Sequence, residues 1–204
     1  MITIIDYGMG NVGSIGNMFK KIGVDAEITS DIEKIKNATK IVLPGVGSFD
    51  NGMRNLSEGG FIDILHVKVV DEGTPVLGIC LGMQLMTRGS EEGVLRGLGW
   101  LDADTVKFRF DVESVNRKIP HMGWNTVETV KNSRIFESMY EDPRFYFVHS
   151  YYVVCDNQAD VLARTEYGIE FVSAFESGNV YGVQFHPEKS HKYGIKLLSN
   201  FAEL

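Results

Sequence analysis

Three short, continuous apolar runs constrain the fold of this chain more than any other feature. They lie at residues 2–5, 41–43 and 76–80. Strands that are apolar on both faces are typical of a parallel sheet covered by helices. Segments with helical spacing alternate with them, at 11–22, 48 onward, 60–72 and 192–202. This alternation predicts an α/β fold with an open, largely parallel central sheet flanked by helices.

The second half of the chain has a different pattern. Short strands are predicted at 105–110, 117–130, 144–154 and 161–164, and two more strands are joined by the turn residues Ser177, Gly178 and Asn179. Strands joined by short turns are typical of antiparallel pairing, so we expect a smaller antiparallel portion. Because no repeat, low-complexity tract or Pro/Ser linker interrupts the chain, one domain is expected over residues 1–204.

Composition excludes several classes of function. The net charge of -7 over 204 residues argues against a general nucleic-acid binder, whose surface would be basic. No apolar run approaches the roughly 20 residues that a membrane-spanning helix needs. The apolar stretch at the start of the chain is too short and too quickly followed by polar residues for a secretion signal. The chain contains two cysteines. We therefore expect a cytoplasmic location, where a disulfide between the cysteines is not favoured.

One of these cysteines, Cys80, ends a predicted buried strand between Gly78 and Gly82, and the helix that follows begins at once. A free cysteine in such a place is often only a small core residue. A sharp strand-to-helix turn, however, exposes its apical side chain, and a Cβ at either glycine would clash across the turn. Helix amides directed at the sulfur would favour the thiolate. The Leu81 amide would face an oxyanion formed by attack on a carbonyl.

A base for this thiol is found in the segment "FHPEKS". His186 ends a predicted strand, Pro187 prevents its continuation, and Glu188 follows two residues after the histidine. A carboxylate within reach of a histidine can fix its tautomer, as a catalytic base requires. A surface turn would explain this segment alone nearly as well. Together with Cys80, it predicts a Cys-His-Glu triad.

The segments "GICLGMQLM", "GVQFHPEKS" and "VLPGVGSF" resemble the signatures of class I (triad) glutamine amidotransferases. Further segments, "IIDYGMGNVGSI", "IPHMGWN" and "YFVHSYYV", are similar to those of the glutaminase subunits of imidazole glycerol phosphate synthase. The resemblance extends over essentially the whole chain. It implies a flavodoxin-like fold and an enzyme that hydrolyses L-glutamine to glutamate and ammonia.

The resemblance also implies roles for particular residues. Cys80 is expected to be the nucleophile, His186 the proton carrier and Glu188 the residue that orients the histidine. The expected oxyanion site comprises Leu81, Gly45, Val46 and Gly47. The expected glutamine contacts are Gln84, Ser150 and Tyr151, although Gln84 alone could be a solvated helix residue. No cofactor is implied, and the scattered histidines lack the spacing of a metal site.

A partner is implied as well, because the family passes its ammonia to a separate synthase. That partner is a (βα)₈-barrel subunit, expected to form a heterodimer with this chain. The residues expected at the interface are Asn11, Met122, Trp124, Tyr146, His149 and Lys189. Trp, Met and Tyr are enriched at interface cores. Core positions for Met122 and Trp124, a surface position for Lys189 and a buried, satisfied His149 are the alternatives.

Three other functions remain open from the sequence. Paralogous subunits supply ammonia for the amidination of a surface-polysaccharide sugar, and this chain departs from the histidine-pathway pattern at Trp100 and at Asp102–Ala103. A stand-alone cysteine hydrolase of similar fold is a second possibility, but such proteins lack the pair "PHMGWN" and "FHPEKS". A non-catalytic binding module is disfavoured because it need not keep all three triad positions.

Overall fold

The computed structural model describes residues 1–110 and 117–204. Twelve strands occur in these residues: β1 (Ile2–Ile5), β2 (Ala26–Thr29), β3 (Ile41–Gly45), β4 (Val76–Cys80), β5 (Ala103–Lys107), β6 (His121–Thr126), β7 (Glu128–Thr129), β8 (Arg144–His149), β9 (Tyr151–Cys155), β10 (Val161–Glu166), β11 (Glu170–Ser177) and β12 (Val180–Val183). The helices of the same residues are α1 (Val12–Ile22), α2 (Ile32–Lys36), α3 (Phe49–Glu58), α4 (Phe61–His66), α5 (Leu81–Leu85) and α6 (His191–Ala202).

The main sheet has a parallel half and an antiparallel half. Strands β2, β1, β3, β4 and β12 lie side by side and are all parallel. This order matches the doubly wound, flavodoxin-like arrangement. Strands β11, β10 and β7 continue the same sheet in antiparallel order, and β9 joins β5 to β11. The predicted α/β fold with an antiparallel portion is confirmed.

Helices cover both faces of the parallel half, as the apolar runs predict. Adjacent residues of β1 illustrate this, because Ile4 packs in one core cluster and Ile5 in the other. Helix α1 follows the predicted limits: the Asn11 side chain accepts from Ser14 N at its start, and Gly23 ends it with a φ of 80°. No helix of residues 1–110 and 117–204 is long and apolar enough to cross a membrane.

Several expectations about the elements were wrong in detail. The strand expected at 117–130 is divided between β6, in a two-stranded sheet, and β7, in the main sheet. The strand expected at 144–154 is divided at Ser150, because β8 pairs with β6 in a separate two-stranded sheet whereas β9 joins the main sheet. The segment expected as one helix at 60–72 is α-helical only as far as His66, and Val67–Asp71 form a π-helical turn. Helix α2 was missed, although Asp31 is a recognisable N-cap whose side chain accepts from Glu33 N.

Candidate active site

Cys80 occupies a strained turn at the carboxyl end of β4. Its φ of 54° and ψ of -110° are unusual for a residue with a side chain, and α5 begins at the next residue. The expected role of the flanking glycines is supported by the contacts. A Cβ at Gly78 would lie 2.8 Å from the backbone of Gly82, and one at Gly82 would overlap the carbonyl oxygen of Leu43. The sequence therefore permits this turn because both neighbours lack side chains.

The helix after Cys80 is short. Helix α5 spans only five residues, Leu81–Leu85. A helix of little more than one turn has a small macrodipole, so its electrostatic effect on the sulfur comes from the first free amides. The dipole of α5 therefore stabilises a thiolate less than that of a long helix would, whereas the Leu81 amide remains available to an oxyanion.

His186 and Glu188 form a close pair beside Cys80. His186 Nδ1 lies 2.8 Å from Glu188 Oε1, and each side chain is only 2% exposed. Burial lowers the pKa of His186, but the nearby Cys80 and Glu188 together raise it to about 10. Within residues 1–110 and 117–204, Nε2 of His186 has no hydrogen-bond partner. The outer ring nitrogen is thus free to exchange a proton at the sulfur or at a bound molecule.

A cavity of about 320 Å³ opens beside these residues. Nine of its lining residues are among those expected from the sequence: Val46, Gly47, Cys80, Leu81, Gln84, His149, Ser150, Tyr151 and His186. Gly45 lies behind this lining, level with Cys80 in the β3–β4 register. Gly47 has a φ of 112°, which a residue with a side chain rarely adopts. The structure therefore brings the expected triad, oxyanion and substrate residues to one cavity.

Gln84 is buried and held from two sides, so the alternative of a solvated helix residue is wrong. Its Nε2 donates to the Tyr151 carbonyl at 3.2 Å and to Gln184 Oε1 at 2.9 Å. His149 Nδ1 lies 2.7 Å from the same Tyr151 oxygen, and the Ser150 carbonyl accepts from Phe108 N. The carbonyl oxygens of Ser150 and Tyr151 are therefore already engaged within the protein.

His149 is buried and paired with a second histidine. His149 Nε2 lies 2.9 Å from His121 Nδ1, and Asn125 Nδ2 lies 3.2 Å from His121 Nε2. Burial lowers the pKa of His149 to about 3 and that of His121 to about 4, with Arg117 adding to the effect on His121. Both rings are therefore neutral near pH 7. The alternative of a buried, satisfied histidine describes His149 correctly.

The residues expected at the partner interface lie outside the cavity, apart from His149. Met122 is 61% exposed and Trp124 47% exposed, so neither is a core residue. Trp124 stacks on His191 and faces the ring of Tyr146, and Lys189 Nζ lies 5.5 Å from the Tyr146 ring centre. Asn11 is at the exposed start of α1. Met122, Trp124, Tyr146, Lys189 and His191 are called the aromatic surface below.

Three polar residues of the site were missed in the sequence. Gln184 contacts both Gln84 and Cys80, and Glu92 lines the cavity while accepting from Phe49 N at 2.8 Å. His121 lies within the segment "PHMGWN", in which only Met122 and Trp124 were expected to have a role. The register of β12 against β4 could have identified Gln184, since continuing it by one residue places Gln184 beside Cys80. No local signal points to Glu92, which reaches the cavity from a loop.

The second cysteine, Cys155, lacks the glycine-flanked turn found at Cys80. Cys155 is buried at the end of β9, and burial raises the pKa of its thiol to about 12. Neither cysteine is part of a disulfide. The thiol of Cys155 is consequently inert near neutral pH, which supports a structural place for it.

The fold and site together define a class of protein, and comparison with known proteins agrees. A family model described as glutamine amidotransferase class-I matches residues 3–204. Among solved structures, PurLQS from Thermotoga maritima is similar with a TM-score of 0.70 at 20% identity, over 99% of this chain and 97% of that chain. At this identity the likeness concerns the fold alone. This chain belongs to the class-I glutamine amidotransferase family, as its motifs predicted.

Relatives with higher sequence identity indicate which branch of the glutamine amidotransferase family the chain resembles. The chain is 61% identical to imidazole glycerol phosphate synthase subunit HisH 2 of Methanococcus maripaludis, over 98% of each chain. It is 47% identical to the protein of the same name from Pseudomonas aeruginosa, over the full length of both. A HisH subunit from Leptospira interrogans is 44% identical, again over both full lengths. The resemblance to the HisH branch is thereby confirmed.

Proposed function

We propose that this chain is the glutaminase subunit of imidazole glycerol phosphate synthase. It hydrolyses L-glutamine at the cavity beside Cys80 and passes the ammonia to a separate synthase subunit. The observation that carries this proposal is the meeting of Cys80, at its strained turn, with the buried His186–Glu188 pair at one cavity. The HisH names of full-length relatives support the synthase.

The reaction follows from these groups in two steps. The Cys80 sulfur attacks the side-chain carbonyl carbon of glutamine, and His186 carries the thiol proton to the departing nitrogen, which leaves as ammonia. Water then attacks the γ-glutamyl thioester, with His186 taking its proton, and glutamate leaves as Cys80 is restored. Glu188 holds the ring in the orientation that both transfers need.

The oxyanion of each tetrahedral intermediate is held by backbone amides. The Leu81 amide supplies one donor, and the segment of Gly45, Val46 and Gly47 supplies the other. Because glycines flank Val46, this segment can rotate a peptide group without a steric penalty. A resting state with an incomplete oxyanion site is therefore compatible with this sequence.

The amino-acid end of glutamine is recognised by the opposite wall of the cavity. Gln84 Oε1 remains an acceptor for the α-ammonium group because both of its described hydrogen bonds use Nε2. The Glu92 carboxylate adds a negative charge to the same cavity. Ser150 and Tyr151 complete this wall. A zwitterionic substrate is thus held at one end while its carboxamide lies at the sulfur.

The partner is a (βα)₈-barrel synthase that docks on the aromatic surface and forms a heterodimer with this chain in the cytoplasm. Exposed Met122 and Trp124 supply the apolar contact, and the cationic Lys189 can pair with an acidic residue of the partner. Ammonia protonates and disperses in bulk water, so a shielded route between subunits is the physical reason for a complex.

The nucleophile is tested with Cys80→Ala in the complex with the barrel subunit. We expect glutamine-dependent turnover to fall by about 10⁴-fold or more while ammonium-dependent synthesis continues. Cys155→Ala is the matched control and should retain glutamine hydrolysis. Glutamine hydrolysis retained by Cys80→Ala would refute the proposed nucleophile.

A second candidate function keeps the chemistry and changes the destination of the ammonia. Names such as HisH 2 and HisH 1 among the relatives distinguish copies of this subunit, and Trp100 departs from the expected histidine-pathway pattern. The complex should therefore be assayed with the ribulosyl nucleotide intermediate of histidine biosynthesis. Stimulated glutaminase activity and an imidazole product support the leading proposal. The absence of both stimulation and an imidazole product would favour amidination of a surface sugar.

A further inference from the structure

Gln184 lies directly beside the nucleophile. It follows β12, which is parallel to β4 with Val183 opposite Ile79, so the next residue along is level with Cys80. Its side chain is fully buried, and its backbone amide donates to the Ser173 carbonyl at 2.9 Å. Gln184 Nε2 lies 3.7 Å from Cys80 Sγ, within hydrogen-bond distance for sulfur. A fully buried amide is therefore in contact with the reacting atom.

Neighbouring groups determine which end of this amide faces the sulfur. The Tyr151 carbonyl can only accept, so the Gln84 atom 3.2 Å away must be Nε2, a donor. That same nitrogen lies 2.9 Å from the Gln184 side chain. Two NH₂ groups would repel each other there, so Gln184 presents Oε1 to Gln84. Its Nε2 consequently faces Cys80.

We propose that Gln184 donates a hydrogen bond to the Cys80 thiolate and holds it at the carboxamide of the substrate. The assignment rests on the proposed function, which it deepens by adding a residue that touches the reacting sulfur. Burial deprives a thiolate of water, and a donor within reach compensates for part of that loss. The thiol form instead can donate to the Val148 carbonyl, 4.0 Å from the sulfur.

The same bond acts in both halves of the reaction. It stabilises the attacking thiolate before the thioester forms, and it stabilises the sulfur again when the thioester is cleaved. Gln84 orients the Gln184 amide, so the residue proposed to bind the amino-acid end of glutamine also supports the nucleophile. A purely structural amide would fill the same space without affecting the ionisation of the sulfur.

The test measures the rate at which iodoacetamide alkylates Cys80 as a function of pH. Gln184→Met keeps a similar volume without a donor, and Gln184→Glu keeps the shape but replaces the donor with a carboxylate. Both are made in the full chain with Cys155→Ala, so that only one thiol reacts. We expect the pH midpoint to rise by about one unit in Gln184→Met, and further in Gln184→Glu. Alkylation at pH 7 should fall by up to about tenfold.

An unchanged midpoint in either variant that folds, as judged by its thermal unfolding, would overturn the inference. The matched control is Gln158→Met, at an exposed position, which should leave the midpoint unchanged. Alkylation does not require glutamine turnover, so this result is independent of the proposed function. Glutaminase activity of the Cys80→Ala complex tests that function separately.

Discussion

At the scale of single residues, the absence of side chains at two positions makes the nucleophile possible. Gly78 and Gly82 face each other across the turn at Cys80, where either Cβ would meet backbone rather than a movable side chain. Backbone atoms cannot be displaced without changing the β3–β4 pairing. The positive φ of Cys80 is thus maintained by packing around it, at a cost in local strain.

Gly82→Ala should therefore destabilise the protein. We expect the free energy of unfolding to fall by about 2 kcal/mol or more, because the new methyl group overlaps the Leu43 carbonyl. Gly13→Ala is the control, since Gly13 lies in α1 with open space around its Cβ position and should be neutral or slightly stabilising. Urea unfolding of both variants measures the difference. Equal stabilities would contradict this account of the turn.

Glu188→Gln tests the other end of the triad. The amide keeps the shape but removes the charge that helps to raise the pKa of His186. We expect kcat/KM for glutamine to fall by about 10²- to 10⁴-fold, because the histidine loses both its orientation and its charge partner. Glu58→Gln, an exposed substitution at the end of α3, should have no effect. Steady-state assays of the complex measure kcat/KM for both variants. Wild-type kinetics in Glu188→Gln would show that Glu188 is not part of the triad.

At the scale of elements, the β6–β8 pair links the aromatic surface to the cavity. His121 and His149 are directly opposite each other in its register, and so are Trp124 and Tyr146. Alternate residues of β6 point to opposite sides, so His121 enters the interior while Met122 and Trp124 face solvent. One short strand thus contributes to both the proposed docking surface and the hydrogen-bonded wall of the cavity.

The neutral histidine pair predicts a loss of stability in acid. In the unfolded chain both histidines titrate near pH 6.5, but in the folded protein their pKa values are about 4 and about 3. The unfolded state therefore binds more protons between these values, and stability decreases as pH falls from about 6.5 towards 4. Each histidine contributes up to about 1.4 kcal/mol per pH unit.

Substituting one member of the pair should reduce this pH dependence. His121→Phe retains the ring between Phe147 and Tyr167 but cannot be protonated. We expect a lower stability at pH 7, because His149 loses its partner, and a shallower decline between pH 6.5 and 4. His66→Asn, at the exposed end of α4, should keep the wild-type slope. Unfolding free energies measured at several pH values test this, and equal slopes in all three proteins would contradict it.

At the scale of the whole molecule, the carboxyl ends of the parallel strands collect the chemistry and the aromatic surface lies beside them. The end of β4 and the segments after β3 and β12 supply the proposed reactive wall of the cavity, and β8 and β9 close it. Ligand sites of open α/β sheets generally lie at this edge. The proposed partner would accordingly dock close to the point at which ammonia is released.

Trp124→Ala should weaken the complex with the synthase. Removing a large, exposed aromatic side chain from the centre of an interface typically costs about 2 kcal/mol or more, so we expect Kd to rise by at least about tenfold. Val70→Ala is the control, because Val70 is equally exposed but lies before β4, at the opposite end from Cys80. Titration calorimetry measures both, and an unchanged Kd for Trp124→Ala would place the docking surface elsewhere.

Local sequence patterns were sufficient to predict the class of fold and to identify the pair of motifs proposed to carry the reaction. Strands that are apolar on both faces require burial on both faces, and the glycines around Cys80 are explained by the steric limits of the turn. Both features can therefore be recognised from the local sequence pattern. Two of the proposed triad residues, Cys80 and His186, lie at the end of β4 and shortly after β12. These features depend on neighbours a few residues apart, which is why they could be predicted.

The remainder of the candidate site depends on tertiary contacts. Glu92 reaches the cavity from a loop. Gln184 contacts Gln84 and Cys80, which lie about a hundred residues earlier in the chain. His121 pairs with His149 across strands β6 and β8. The division of 144–154 into two sheets also depends on partners distant in the chain. Each depends on which strands become neighbours, and long-range packing, rather than local propensity, determines that.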